Sequence, residues 1–441
     1  MATQTVRPRL MQAGIDAFQQ TEVRQKVLFT LALLLVFRMV AHIPVPGVDA
    51  DQLRETFDNN AILGFLNIFS GGALRNLSVA ALGVYPYITA SILMQLAGGL
   101  VPRLAALQKE GESGRQRLQI YTHWLTVPLA VLQGYAQLLL IQQLGGVTGV
   151  GFGADTFLPT VASLFSMVAG TMFLVWLGEL ITEKGIGNGI SLIIFGGIVA
   201  GMPGLLGGVI GGGGIGFGRL VFLALVTVGI VYAIVLVQEG QRRVPVQYAR
   251  STFRGGRMYR QQGQTHIPLR VNSAGMIPLI FAFSIMIFPP AFFQFVARTV
   301  DVGWMANAAD FLQRALSPTE PIYWLAVFLL VFIFTYFYTV VVFQQQNLAE
   351  NLQRQGGFIP GIRPGRPTQE YLTRVLIRIT AGGAFFLGII AIVPFVTTRL
   401  FDVQSLQISA AGLLIVVGVV LDTMRQLEAQ MLMRNYEGFI S

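Results

Sequence analysis

Ten apolar runs of membrane-spanning length recur along this chain of 441 residues, and they constrain its fold more than any other feature. About 20 apolar residues in a helix cross the hydrocarbon core of a bilayer. Charged residues make up 12% of the chain, whereas soluble domains carry about 25%. We therefore predict an all-α polytopic membrane protein with ten transmembrane helices. The runs occupy residues 25–43, 77–97, 121–142, 157–177, 190–210, 219–238, 271–296, 322–343, 375–397 and 406–424.

The Lys and Arg residues are distributed unevenly between the two sides of this predicted topology. Of 30 cations, 23 lie on the side that holds both termini and six lie on the other side, while Arg38 lies within the first run. Loops that stay in the cytoplasm are enriched in Lys and Arg. Both termini are therefore predicted to be cytoplasmic.

Five apolar runs precede a Gly-rich segment at 207–218, and five follow it. Because five is odd, the two halves are expected to have opposite orientations, which is the pattern of an inverted repeat. The predicted organisation is a cytoplasmic segment at 1–24, two five-helix halves at 25–210 and 211–424, and a cytoplasmic tail at 425–441. For the Gly-rich segment the sequence indicates no role beyond that of a linker.

Ionisable side chains are nearly absent from the interior of the apolar runs. Arg38 and Arg378 lie toward the ends of their runs, and no acidic residue falls in the middle of one. Carriers coupled to protons or sodium ions need such groups, and the chain has no cysteine and no Gly-rich phosphate loop ending in Lys-Ser/Thr. These features favour a passive channel that is not an enzyme and holds no cofactor or metal. The alternatives are a secondary transporter with inverted repeats and an insertase with a buried cation, for which Arg38 is the candidate.

One further apolar segment, residues 59–76, is too short to cross a membrane and is interrupted by Gly71-Gly72. Apolar segments of this length are more often re-entrant or interfacial than spanning. The sequence leaves open whether this segment re-enters the helix bundle or lies on its outer surface as an amphipathic helix.

Two predicted cytoplasmic loops, 239–270 and 344–374, are rich in arginine. In the second loop Pro360-Gly361 and Pro364-Gly365 flank Arg363, which predicts a stiff, turn-forming tip. The cations are either topology determinants that contact anionic lipid headgroups, or a docking surface for RNA or for an acidic protein face. The turn residues favour the docking surface, since a topology determinant needs no defined loop conformation.

Branched aliphatic residues occupy the middle of several runs. Ile88 and Ile92 are four residues apart, as are Ile190 and Ile194, so each pair shares one helix face. Ile280 and Ile415 occupy comparable positions in later runs. Taken alone, these residues are typical of lipid-facing or packing positions.

Five motifs distributed along the chain resemble those of the bacterial SecY family, the central subunits of the general protein-translocation channel. The resemblance covers nearly the whole chain, with the same order of spans and loops. The motifs are Gly83-Val-Tyr-Pro-Tyr-Ile-Thr-Ala-Ser91, Gly185-Ile-Gly-Asn-Gly-Ile-Ser191, Gly240-Gln-Arg-Arg-Val-Pro-Val-Gln247, Val271-Asn-Ser-Ala-Gly-Met-Ile-Pro278 and Ile359-Pro-Gly-Ile-Arg-Pro-Gly365.

The resemblance implies that two five-helix halves surround a central pore through which unfolded polypeptides cross the bacterial plasma membrane. It implies an aliphatic pore ring made of Ile88, Ile92, Ile190, Ile194, Ile280 and Ile415. It also implies a plug near 61–74 that blocks the resting channel. The residues expected in the plug are Leu63, Phe65, Leu66, Ile68, Phe69, Gly71 and Gly72.

The same resemblance implies a lateral gate that releases hydrophobic segments into lipid. Its expected polar residues are Thr89, Ser91, Gln95, Asn272 and Ser273. Arg242, Arg243 and Arg363 are expected to contact the SecA motor or the ribosome. The other expected partners are SecE-like and SecG-like subunits, polypeptides that carry a signal sequence, and membrane lipids.

Overall fold

The structure is a computed structural model, and it is mostly helical. It describes residues 20–46, 70, 72–74, 76–143, 151, 153, 156–211, 217–254, 257–299, 303–317, 320–345, 347–401 and 410–437. Each of the ten predicted apolar runs coincides with a helix or overlaps most of one. The positions of the apolar helices were therefore predictable from the sequence.

The described elements are thirteen helices and three strands. In order, the first seven helices are α1 (Thr21–Val40), α2 (Tyr85–Leu100), α3 (Pro102–Lys109), α4 (Glu112–Gln143), α5 (Phe157–Lys184), α6 (Gly189–Gly211) and α7 (Phe217–Glu239). They are followed by β1 (Gln241–Arg254), β2 (Arg257–Arg270), α8 (Ile277–Thr299), α9 (Gly303–Ala315), α10 (Pro321–Gln345), α11 (Leu348–Arg354), β3 (Gly357–Phe358), α12 (Arg366–Phe401) and α13 (Ala410–Glu437). Among the described residues, α5, α10 and α12 are long and apolar enough to cross a membrane, and α6 and α7 contain shorter apolar stretches.

The second apolar run does not become helical at residue 77, as predicted, but at Tyr85. The preceding residues form turns whose backbone pairs with the end of α1. The Val45 N–H donates to the Leu77 carbonyl, and the Val79 N–H donates to the Ile43 carbonyl, both at 2.9 Å. These bonds satisfy the buried backbone as a helix would, so apolar composition alone could not distinguish the two conformations.

The prediction of an all-α chain is wrong for residues 241–270. There β1 and β2 form a long antiparallel hairpin, registered from Gln241↔Arg270 to Arg254↔Arg257, and β3 pairs with the other edge of β1. Val244 and Val246 are buried while the residues between and before them are exposed. This is the period of two expected for a half-buried strand.

The chain divides into two compact units. Unit 1 comprises Met1–Met94, Arg103–Arg219 and Thr397–Ser441, and unit 2 comprises Gln95–Pro102 and Leu220–Val396. The last helix, α13, thus belongs with the first part of the chain.

Each unit has its own hydrophobic core. In unit 1, one core joins the turns that precede α2 to α4 and α5, with Leu74, Leu77 and Met167 almost completely buried. In unit 2, the base of the β-hairpin packs on α10, α11 and α12 through Val246, Leu352 and Leu372. The arginines at the base of the hairpin in unit 2 are therefore attached to a packed core.

Candidate functional site

The motif Gly185–Ser191 forms the tight connection between α5 and α6 in unit 1. Gly187 has φ +86°, a backbone conformation that residues other than glycine rarely adopt. The Gly189 N–H donates to Thr182 Oγ1 at 2.9 Å, and that hydroxyl donates to the Gly178 carbonyl at 2.8 Å. A Cβ on Gly189 would overlap the Gly178 carbonyl. The glycines of this motif therefore allow the two helices to approach closely.

Replacing Gly189 by Ala is expected to destabilise the protein, because the added methyl group meets backbone that cannot move aside. Overpacking of this kind costs about 1–3 kcal/mol. Gly201→Ala is the matched control, since Gly201 lies on the same helix and a Cβ there meets nothing within 4 Å. Within a helix, alanine is more favourable than glycine by about 1 kcal/mol. Thermal unfolding in detergent should give a lower midpoint for Gly189→Ala and an unchanged or higher one for Gly201→Ala. Equal midpoints would contradict the packing argument.

The six predicted ring isoleucines lie on four apolar helices. Ile88 and Ile92 are on α2, Ile190 and Ile194 on α6, Ile280 on α8 and Ile415 on α13. Ile88 and Ile190 are half-buried, and the other four isoleucines are buried. Within unit 1, α13 packs against α6, which brings together two of the four helices. The ring itself stays a prediction.

Only the C-terminal end of the predicted plug is described: Leu63, Phe65, Leu66, Ile68, Phe69 and Gly71 lie outside the described residues. Gly72 has φ +84°, and the Arg38 guanidinium lies 3.5 Å from where its Cβ would be. The Leu74 N–H donates to Ser70 Oγ at 3.0 Å, and Leu74 is buried in the core of unit 1. The chain that follows the plug is therefore fixed against the end of α1.

Asn272 is the most constrained of the predicted gate residues. It lies between β2 and α8 in unit 2, and its side chain is buried. Its Nδ2 donates to the Gly275 carbonyl at 3.0 Å. Its Oδ1 is buried and has no hydrogen-bond partner among the described residues. Because a buried carbonyl without a partner is costly, this atom is suited to accept a hydrogen bond from another group.

The other predicted gate residues use their polar groups locally or are half-buried. The Thr89 hydroxyl donates to the Tyr85 carbonyl at 3.0 Å within α2. The Ser273 hydroxyl donates to the Arg270 carbonyl at 2.9 Å. Ser91 and Gln95 are half-buried on α2.

The three arginines predicted to dock partners are exposed, and none of them has a carboxylate partner within the part of the chain that the structure describes. Arg242 and Arg243 lie at the base of β1, opposite Leu269 and Pro268 of β2. By contrast, Arg354 and Arg366 each pair with a glutamate four residues away, at 2.7 Å and 3.5 Å. Among the described residues, the predicted docking cations therefore differ in this respect from Arg354 and Arg366.

Arg363 lies in a loop whose conformation is set by glycines, as its turn residues predicted. Gly361 and Gly365 have φ +81° and +99°. The Thr368 hydroxyl donates to the Arg363 carbonyl at 2.8 Å, and Ile359 anchors the loop in the core of unit 2. The loop thus holds an exposed cation on a fixed backbone.

One polar cluster in unit 1 was not predicted. Glu179 of α5 accepts a hydrogen bond from Gln119 Nε2 at 2.7 Å and lies 2.7 Å from His123 Nε2. The Tyr87 ring packs on His123, with ring centroids 5.8 Å apart. Glu179 lies 56 positions from His123 and 60 from Gln119, so no local motif indicated this cluster. The hydrogen bonds within this cluster explain how the Glu179 carboxylate is accommodated in α5.

The fold is similar to that of solved protein-conducting channels. A solved protein-conducting channel superposes with a TM-score of 0.61 at 15% identity, covering 92% of both chains. The canine Sec61 channel, solved in a ribosome–channel complex, superposes with a TM-score of 0.59 at 16% identity over the same shares. At these identities the likeness concerns the fold.

Sequence similarity then defines the family. The SecY family profile matches residues 78–424. The protein translocase subunit SecY of Streptomyces galbus is 42% identical, over 98% of this chain and 100% of that protein. SecY of Thermotoga maritima is 41% identical over 98% of both chains. The chain belongs to the SecY family, which confirms the resemblance noted from its motifs.

Proposed function

We propose that this chain is the pore-forming subunit of a bacterial Sec translocon. It conducts unfolded polypeptides across the plasma membrane and releases hydrophobic segments sideways into lipid. The observation that carries the proposal is the similarity to translocase subunits along 98% of the chain. The proposal includes ten spans in two inverted halves, with both termini in the cytoplasm, as the cation distribution favours.

The proposed seal of the pore is the isoleucine ring. A narrow apolar constriction excludes water and ions by dewetting. Isoleucine side chains offer neither charges nor hydrogen bonds, so they can surround a moving chain without retaining it. The burial of Ile92, Ile194, Ile280 and Ile415 is compatible with tight lateral packing at the constriction.

The proposed plug moves about a hinge at Gly71-Gly72. Support comes from the contrast along the segment: Leu74 and the residues after it are tied to the core of unit 1, whereas Gly72 has a left-handed backbone conformation. Rotation at the glycine pair would break the hydrogen bond between Ser70 and Leu74 but would leave the core of unit 1 intact.

The proposed partners are SecE-like and SecG-like subunits, the SecA motor and the ribosome. Canine Sec61 and yeast Ssh1, which share this fold, were each solved with a ribosome. Arg242, Arg243 and Arg363 are exposed and have no carboxylate partner among the described residues, so they offer positive charge to RNA or to an acidic protein face. The ordered Arg363 loop is assigned to SecA.

Reconstitution tests the function directly. The chain is purified with a SecE-like subunit and placed in lipid vesicles, and SecA, ATP and a preprotein with a signal sequence are then added. We expect the preprotein to become protected from external protease, and to remain exposed when the signal sequence is deleted. If the preprotein stays accessible although SecA binds the vesicles, the proposal of a conducting channel fails.

Asn272→Leu tests the proposed gate. In the proposed closed gate, Asn272 Oδ1 accepts a hydrogen bond, and such a bond within a membrane contributes about 0.6 kcal/mol. Losing this bond should make the gate easier to open, so the export of preproteins with weak signals is expected to rise about two- to threefold relative to strong ones. Ser166→Ala is the matched control, because its hydroxyl donates to the Ala162 carbonyl within α5, a helix that carries none of the predicted gate residues. An export ratio that is the same in wild type and both variants would exclude a gate role for Asn272.

A further inference from the structure

The helix α9 has an apolar face and a polar face that are both exposed. Trp304 and Phe311 are seven residues apart, and 72% and 69% of their surfaces are exposed. Met305 and Leu312, also seven apart, extend this apolar face and are exposed as well. Because successive helical residues turn by about 100°, residues seven apart lie nearly above one another. The apolar side chains therefore form one continuous stripe.

A second side of α9 is polar and carries no net charge. Asn307, Asp310 and Arg314 are spaced by three and four residues and are exposed. Asp310 and Arg314 pair at 3.6 Å. A third side of the helix packs on protein: Ala309 is buried, and α9 packs against α8 within unit 2. The helix is thus attached by one side and presents two unlike sides outward.

The chain lengths around α9 hold it near a membrane boundary. Three residues separate it from α8 and five separate it from α10. Five residues and their two flanking bonds reach at most about 20 Å. From its first turn, α10 exposes an apolar stripe with helical spacing, of the kind that faces lipid: Ile322, Leu325, Leu329 and Ile333. Since α10 enters the apolar region at its start, α9 cannot lie far from the headgroups.

We propose that α9 lies in the plane of the membrane–water interface, with its Trp304–Phe311 stripe inserted among the lipids. Trp is enriched at this level because its ring is apolar and its N–H is polar. Amphipathic helices of this kind bury their apolar face in the boundary between headgroups and acyl chains. We expect bilayer lipid, and not a protein, to cover this stripe, because the polar side of α9 offers no net charge for docking. The stripe also consists of large exposed apolar side chains, like the stripe of α10.

The absence of cysteine from the sequence makes a direct test possible. Single cysteines are introduced at Ala308, on the apolar side, and at its neighbour Asn307, on the polar side; both positions are exposed. Each variant carries a nitroxide label and is reconstituted in vesicles of phosphatidylethanolamine and phosphatidylglycerol. Collision rates with oxygen and with a water-soluble nickel chelate then give the depth of the label. Leu329→Cys supplies the lipid reference and Gln355→Cys the water reference.

We expect the label at 308 to lie about 5–10 Å below the headgroup boundary and the label at 307 to match the water reference. If both labels match the water reference, α9 lies off the membrane and the proposal fails. If the label at 308 is accessible to neither reagent, protein covers the stripe and the proposal also fails. As a second measurement without a label, brominated lipids should quench Trp fluorescence in the wild type more than in Trp304→Phe. Equal quenching would count against insertion whatever the labelled variants do.

Discussion

Replacing Arg363 by Glu is expected to lower SecA-driven translocation of a preprotein by more than about tenfold, while the variant still inserts into the membrane. Arg363 is exposed, has no carboxylate partner within the described residues, and is held by a loop with two glycines at positive φ. Placing like charges opposite each other at an interface costs several kcal/mol, and about 1.4 kcal/mol is already tenfold in affinity. The measurement is the amount of protease-protected preprotein in vesicles that contain equal amounts of wild type or variant.

Arg366→Glu is the matched control for this prediction. Arg366 is only three residues away and is more exposed than most side chains, but it pairs with Glu370 at 3.5 Å. Exposed pairs of this type contribute at most about 1 kcal/mol to stability, so a small loss of translocation is expected. Translocation by Arg363→Glu at the level of the wild type would exclude the docking role. An equal, large loss in both variants would indicate a general effect of negative charge on this surface.

The membrane helices could be predicted because their physical requirement is local. A spanning helix needs about 20 apolar residues regardless of its neighbours. Each run, such as 157–177 for α5, can therefore be recognised from its own composition. The start of α2 could not be predicted in this way. There the backbone of Leu77 and Val79 bonds residues 45 and 43, which follow α1 and lie more than 30 positions earlier in the chain. The same apolar side chains suit either conformation.

The β-hairpin was missed because charge and turn residues dominated the interpretation of residues 239–270. The pattern of buried Val244 and Val246 covers only the base of the hairpin. A pattern of two buried residues is short, and such runs do not separate a strand from a loop. The pairing of β1 with β3 depends on Phe358, more than 100 residues later.

The candidate sites illustrate a similar division. The turn at Arg363 was predictable, because Pro-Gly pairs restrict the backbone by themselves. That Arg363 has no ion-pair partner in the described part of the chain was not predictable, since it depends on which acids the fold brings near. Likewise, the spacing of Ile190 and Ile194 placed them on one face of α6. How closely α6 approaches α5 is seen only in the structure, where a Cβ on Gly189 would overlap the Gly178 carbonyl.

Replacing Ile194 and Ile415 together by Ser is expected to make the resting channel conduct ions. Both side chains are buried, and their helices α6 and α13 pack together in unit 1. Hydroxyl groups at an apolar constriction offer hydrogen bonds to water, which removes the barrier that dewetting provides. Ion flux from vesicles that hold the variant without any preprotein should exceed that of the wild type by more than about tenfold. Translocation of a preprotein should continue, because the proposed ring would seal the pore and would not drive transport.

The adjacent pair Ile193→Ser and Leu414→Ser separates a loss of sealing from a loss of packing. These residues are equally buried on the same two helices, one position away from the proposed ring, so they point about 100° away from it. Each large-to-small replacement in a core costs about 2–5 kcal/mol, and both double variants should therefore show similar losses in thermal stability. Because only the ring positions line the proposed pore, only the Ile194/Ile415 variant should leak. A leak of the same size in both variants would show that loosened packing is sufficient to open a path for ions, and the isoleucine ring would then have no special role.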